Sequence, residues 1–224
     1  MKKILTTLSI LAITITVGNV NNVNLNSSWQ QNVHIINKTQ QDTIYIDKDG
    51  EQITTNETDL SNINSKEIVQ IGFYKNIINQ IQVVKMPKTI QKVPDQLPSE
   101  ITSLKHMFWD AIVFNQDISK WDISKVTDLS LIFQNAIAFN QSLADWNTSN
   151  VINMNSMFAD ALTFNQNISN WNTSNVTNMN KMFFNARSFN QNLSKSNVKK
   201  IIEHSNFATG SKIYNPSKLP KFKQ

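Results

Sequence analysis

The chain has 224 residues, a formal net charge of +5 and no cysteine, which excludes disulfides, thiolate metal sites and a cysteine nucleophile. Residues 195–224 hold seven Lys and one Glu, whereas residues 19–194 hold twelve basic and fifteen acidic residues, so the positive charge is concentrated at the C-terminal end. A nucleic-acid-binding domain would carry its positive charge on the folded body, and no nucleic-acid partner is predicted.

The N-terminal residues have the pattern of an export signal. Lys2 and Lys3 precede an apolar run from Ile4 to Val17, which is too short to span a bilayer well and suits the core of a signal peptide. Residues 1–18 are predicted to be a signal peptide, and the protein to be exported, either secreted or at the cell surface. A buried N-terminal helix or strand is the alternative. Residues 19–40, rich in Asn, Ser and Gln, are predicted to be a flexible spacer.

Residues 41–100 are predicted to form a β-rich N-terminal cap region. Thr43–Ile46 alternates in polarity like a strand, Gln52–Thr54 can return beside it, and Asp49-Gly50 between them is a strong hairpin signal. The acidic turn invites comparison with a calcium loop, but Gly50 comes too early for one, so no metal is predicted.

Two more apolar segments of this region, Glu67–Phe73 and Ile77–Val84, are also predicted to be strands. The three prolines that follow, Pro87, Pro94 and Pro98, exclude a helix and favour an extended course. This region is expected to cover the first edge of the repeats that come next.

Residues 101–208 contain a 25-residue unit that recurs four times in register, followed by a degenerate cap. Fixed positions carry the same residue in successive units. These columns are Phe108, Phe133, Phe158 and Phe183; Ala111, Ala136, Ala161 and Ala186; Trp121, Trp146 and Trp171; and Phe-Asn-Gln from Phe114, Phe139, Phe164 and Phe189. Such a period is typical of stacked repeats that share one apolar core and display a surface rather than a deep pocket.

Each unit is predicted to combine a short helix with an extended segment. Val176, Met179, Met182 and Phe183 have the spacing of one helical face, and Asn165–Trp171 is expected to run extended. The predicted fold class is an α/β repeat solenoid of about four strand-plus-short-helix coils, with the β-rich cap before it.

Two columns have both a structural and a binding interpretation. The Asn column is expected to satisfy backbone groups at each turn, and a sugar or ion groove is the alternative. The Trp column is expected either to be buried beside a bend or to lie half exposed at a corner, where it could bind carbohydrate.

The candidate partner-binding residues are two polar columns that vary in chemistry while the core columns stay constant. They are Asp117, Ser142, Asn167 and Asn192, and Lys120, Asp145, Asn170 and Lys195. They are expected on the strand face, pointing outward, where repeat proteins bind partners. Absence of any constraint on these positions would produce the same variation.

No arrangement in the sequence is typical of catalysis. His34, His106 and His204 are isolated and lack metal-ligand or triad spacing. The chain's four glycines do not form a phosphate-binding loop. The protein is predicted not to be an enzyme and to need no cofactor.

The unit resembles the repeat of BspA-like leucine-rich repeat surface proteins, in the 25-residue form common in mollicute surface lipoproteins. The resemblance rests on Asn175–Met179 through Ala186 and on Phe164-Asn165-Gln166 through Asn172. It implies a leucine-rich-repeat-like solenoid on the cell surface, with a role in adhesion or host contact. The lipid-carrying Cys of many such relatives is absent, so attachment to the surface would need another mechanism.

The leading hypothesis is therefore a secreted or surface protein that binds a protein or another host-surface macromolecule. One alternative is a structural envelope component that associates with its own kind or, through the basic tail of residues 209–224, with an anionic membrane. The favoured interpretation of that tail is a solvated, Lys-rich terminus. A weaker alternative is a carbohydrate-binding module.

Overall fold

A computed structural model describes residues 39–213 and 216–223. The predicted signal peptide and residues 19–38 of the predicted spacer lie outside the described residues. The described elements are β1 (Thr43–Ile46), β2 (Gln52–Thr55), β3 (Glu67–Gln70), β4 (Phe73–Lys75), β5 (Ile81–Val83) and a single 3-10 turn (Pro216–Lys218). No helix within these ranges is long and apolar enough to cross a membrane.

The five strands form two small antiparallel sheets. One has the order β2-β1-β3, and the other pairs β4 with β5. The predicted hairpin is confirmed, with Ile46 opposite Gln52 and Gly50 in the turn at φ 85°. The Asp47 carboxylate accepts hydrogen bonds from the amides of Asp49 and Glu51 at 2.8 and 2.9 Å, so it serves the turn.

The predicted α/β leucine-rich-repeat-like solenoid with a helix in each coil is wrong. The described residues contain no α-helix, and their strands are restricted to the two small sheets before the repeats. The helix-like spacing at Val176, Met179, Met182 and Phe183 instead belongs to consecutive tight turns, whose side chains recur with a similar period. The same holds near Ile201, in the predicted degenerate cap, which forms turns as well.

Backbone geometry explains why these turns are not a helix. Lys181 and Asn185 have φ of 53° and 54°, in the left-handed region that a right-handed helix cannot contain. The amides between them alternate: Met182 donates to the Met179 carbonyl at 3.2 Å, whereas Phe183 donates to Phe207 of the next unit at 2.7 Å. Half of the donors that a helix would use internally therefore join neighbouring units.

Successive units lie in register beside one another. Parallel bridges connect Ser103, Asp128, Asn153, Asn178 and Glu203, each 25 residues from the next. In each of the four repeats, four alternate amides donate to carbonyls 24 residues later, as Met154 does to Asn178 at 2.9 Å. Because of this ladder of hydrogen bonds, residues that are 25 positions apart in the sequence lie beside one another in successive units.

The predicted core columns are buried. All Phe side chains at the two repeated positions, and Met107, Met157 and Met182, are at most 2% exposed. Phe158 stacks on Phe164 at 3.8 Å between ring centroids, and on Phe133 and Phe183 at 5.6 Å each. One continuous aromatic column thus runs through the repeats.

The tryptophans are buried rather than half exposed. Trp121, Trp146 and Trp171 are 3, 3 and 6% exposed. The Trp146 and Trp171 indole N–H groups donate to the Ile118 and Leu143 carbonyls of the preceding unit, at 3.2 and 2.9 Å. Each Trp therefore also connects two units.

The Asn column has the structural role that the sequence favoured. The side-chain oxygens of Asn115, Asn140 and Asn165 each accept the backbone N–H of the Asn in the next unit, at 2.9 Å in all three cases. At the end of the column, Lys218 donates to Asn190 Oδ1 at 3.1 Å. The tail thus supplies a donor where a further repeat would supply a Gln amide.

Candidate binding surface

The eight predicted partner-binding residues lie in loops and turns, not on a strand as expected. In each repeat, two of these residues flank a buried aliphatic residue, which anchors the loop against the core. The aliphatic residues are Ile118, Leu143, Ile168 and Leu193. All eight side chains are exposed, and the register of the ladder places them in two adjacent columns.

The first column has a structural duty in each loop. Asp117, Asn167 and Asn192 each accept, through Oδ1, the backbone N–H two residues later, at 2.9 to 3.0 Å. Ser142 makes the equivalent contact with Ala144 at 3.4 Å. The bond from Ser119 holds the pKa of Asp117 below its usual value. The choice of Asp, Asn and Ser here follows from turn chemistry.

The side chains of the second column make fewer contacts within the protein. Asn170 donates to the Ala144 carbonyl of the preceding unit at 2.8 Å. Within the described ranges, no hydrogen bond or ion pair is formed by Lys120, Asp145 and Lys195. These three charged side chains are available to a partner without loss of an internal contact.

A shallow depression lies where the first pair meets the N-terminal region. Its volume is about 430 Å³, and its lining residues are Asp95, Gln96, Gln116, Asp117, Ile118 and Lys120. Gln116 is held there by reciprocal hydrogen bonds with the Val93 backbone, at 2.7 and 2.9 Å. The depression therefore has a fixed polar wall beside an unpaired lysine.

A second groove was not anticipated from the sequence. It also measures about 430 Å³ and is lined by Lys125, Thr127, Asn150, Ile152, Asn175, Thr177 and Lys200. Asn150 and Asn175 donate to the Ser124 and Ser149 carbonyls at 2.7 and 2.8 Å. The 25-residue spacing of these residues is visible in the sequence, but their grouping into a groove depends on the turns that replace the predicted helices.

The described residues hold no cluster of three or more His, Asp or Glu side chains that could bind a metal. His106 packs against Trp109 at 5.4 Å between ring centroids, and His204 stacks on Phe222 at 4.3 Å. Burial, with Lys105 and Lys85 nearby, lowers the pKa of His106. Both histidines thus have packing roles.

Comparison with known proteins gives one match. The family model described as Mycoplasma protein of unknown function, DUF285, matches residues 98–222, which is more than half of the chain. No curated protein matches the chain, and no solved structure matches it.

Proposed function

We propose that this chain, which belongs to the DUF285 family of Mycoplasma proteins, is an exported, non-enzymatic surface protein that binds a protein or another host-surface macromolecule. The observation that carries the proposal is the second outward column. Lys120, Asp145 and Lys195 stand at fixed spacing on an otherwise repetitive frame, and none has an internal partner in the described part of the chain.

Surface location and adhesion are supported by sequence features. The basic start and apolar run of residues 1–18 favour export. The 25-residue unit resembles that of BspA-like surface proteins, and the family that the chain matches is described as one of Mycoplasma proteins. An adhesion or host-contact role is the interpretation that joins these observations.

Replacing the three free side chains tests this proposal. A variant with Lys120→Ser, Asp145→Ser and Lys195→Ser should bind cultured host cells at least about tenfold more weakly, if these residues supply the charged contacts of the interface. Flow cytometry with the fluorescently labelled chain would measure the binding.

The matched control is Lys75→Ser, Glu100→Ser and Arg187→Ser, which changes net charge by the same amount at positions outside the two columns. Both variants should unfold like the wild type, because these side chains make few internal contacts. Equal cell binding by wild type and column variant would refute the assigned surface.

The structure does not favour the carbohydrate alternative. A sugar-binding aromatic must present its ring face, whereas the three repeat tryptophans are at most 6% exposed.

Association of the protein with its own kind is favoured by the two ends of the described region, which have different chemistry.

A further inference from the structure

The last unit of the described region ends in a row of unpaired backbone donors. In the preceding unit, Met179, Lys181, Phe183 and Asn185 donate their amides to carbonyls of the last unit at 2.7 to 2.9 Å. The equivalent amides have no hydrogen-bond partner within the described residues. They belong to His204, Asn206, Ala208 and Gly210.

This edge is electrically polar. The four turn amides that each repeat donates to the next point towards the C-terminal end of the stack, and their acceptor carbonyls point the other way, whereas the amides of Ile152, Thr177 and Ile202 donate to the preceding unit. Successive free N–H groups in turns make an anion-attracting edge. Around it, residues 195–223 hold seven Lys and one Glu.

In addition to Lys195 of the outward column, four lysines here have exposed side chains that form no ion pair or hydrogen bond in the described part of the chain. They are Lys199, Lys212, Lys221 and Lys223. We call this surface, with the four free amides, the basic end.

The opposite end of the stack is acidic. The bridges run from Asp59–Lys85 through Gln82–Ser103 to Asn178–Glu203, which places the N-terminal sheet and the last unit at opposite ends. Residues 41–67 hold seven acidic residues and two Lys. Asp42, Asp47, Glu51 and Glu57 form no ion pair with any described residue.

The acidic end also has an open strand edge. β2 pairs only with β1, so the outer side of β2 has no strand partner in the described region. Glu51 and Glu57 flank this edge, and its residues are half-buried or exposed. We call β2, together with the carboxylates of Asp42, Asp47, Glu51 and Glu57, the acidic end.

We propose that the basic end of one copy binds the acidic end of a second copy. Four free lysines meet four carboxylates that lack a salt-bridge partner, and one unpaired backbone edge faces another. Because the two surfaces differ and lie at opposite ends, each added copy leaves one of each free, so the assembly is an open, linear, head-to-tail one. Apart from Lys195, which borders the basic end, this interface does not include residues of the outward columns.

Sedimentation velocity of the full chain at several concentrations and salt levels tests the proposal. The weight-average mass should rise with concentration at about 0.05 M salt and return to the monomer value at about 0.5 M, where charge pairs are screened. Association through the apolar run Ile4–Val17 would not weaken with salt. A wild type that stays monomeric at low salt, or associates independently of salt, overturns the proposal without any variant.

Charge reversal identifies the two surfaces. One variant carries Lys199→Glu, Lys212→Glu and Lys221→Glu; the other carries Asp42→Lys, Glu51→Lys and Glu57→Lys. Each variant alone lacks the complementary charge at one end and should be monomeric, whereas an equimolar mixture should associate through the unaltered basic end of one variant and the unaltered acidic end of the other. None of the six side chains has an internal hydrogen bond or ion pair, so both variants should melt like the wild type.

The remaining outcomes decide against the proposal. Single variants that still assemble, or a mixture that does not, exclude these surfaces. Binding of the wild type to vesicles containing anionic phospholipid, without self-association, would assign the basic end to a membrane instead. The double variant Lys120→Ser with Asp145→Ser should assemble like the wild type. Refutation of the outward columns as a partner-binding surface can therefore be distinguished from refutation of the interface between the two ends.

Discussion

Two positions in each unit have a left-handed backbone, and they restrict which residues the repeat accommodates without strain. One column is His106, Leu131, Ser156, Lys181 and Asn206, and the other is Asp110, Asn135, Asp160, Asn185 and Gly210. Asn, Asp and Gly adopt positive φ at least cost. The second column consists of these residues alone, whereas the first includes branched and charged side chains that are strained there.

Leu131→Asn should therefore stabilise the protein. Leu131 has φ of 61° and is only half-buried, so relief of backbone strain should exceed the loss of apolar burial by about 1 kcal/mol. Chemical unfolding followed by circular dichroism would measure the change. Gln134→Asn, at a half-buried position with ordinary φ in the same unit, is the control and should give no gain. A loss of stability in Leu131→Asn would show that its packing outweighs the strain.

At the scale of the repeat, the sequence predicts which residues are buried better than it predicts the course of the backbone. Periodicity alone identified Phe158, Met157 and Ala161 as core, because any path with a 25-residue period must bury them. The path was predicted wrongly because the spacing from Val176 to Phe183 fits both a helix and consecutive turns. Lys181 at positive φ carries no sequence signal for a turn, and the inter-unit destination of the Phe183 amide depends on a partner 24 residues away.

Phe158→Ala tests the aromatic column at its centre. Phe158 is 0% exposed and contacts rings of its own unit and of both neighbours, so truncation should leave a cavity that the ladder prevents from closing. We expect a loss of about 3–5 kcal/mol in the free energy of unfolding. Phe184→Ala, which truncates a half-buried ring one unit along, should cost clearly less. Equal losses would mean that stacking across units adds nothing.

At the scale of the molecule, each unit depends on its neighbours for half of its turn amides, so the two ends differ from the middle. The first unit is covered: Val83 and Met86 donate to the Ser103 and Met107 carbonyls at 3.0 and 2.8 Å. At the other end, Phe222 and Lys218 of the tail contact the side chains of His204 and Asn190 but leave the last amides open. The sequence indicated a degenerate last unit; open amides could not be inferred, since tail residues could have paired with them.

Hydrogen exchange should reveal this asymmetry amide by amide. In dilute monomer, Leu131, Phe133 and Asn135, which donate across units, should be protected on the order of 10³-fold or more above the unfolded rate, because their exchange requires opening of the stack. His204, Asn206 and Ala208 should exchange near the unfolded rate, while Phe207, which donates to His204 at 3.2 Å, serves as an adjacent control with an internal bond. Strong protection of the three open amides in the monomer would mean that another part of the same chain already covers the edge. Protection that appears only as the concentration rises is the result expected if a second copy supplies the missing carbonyls.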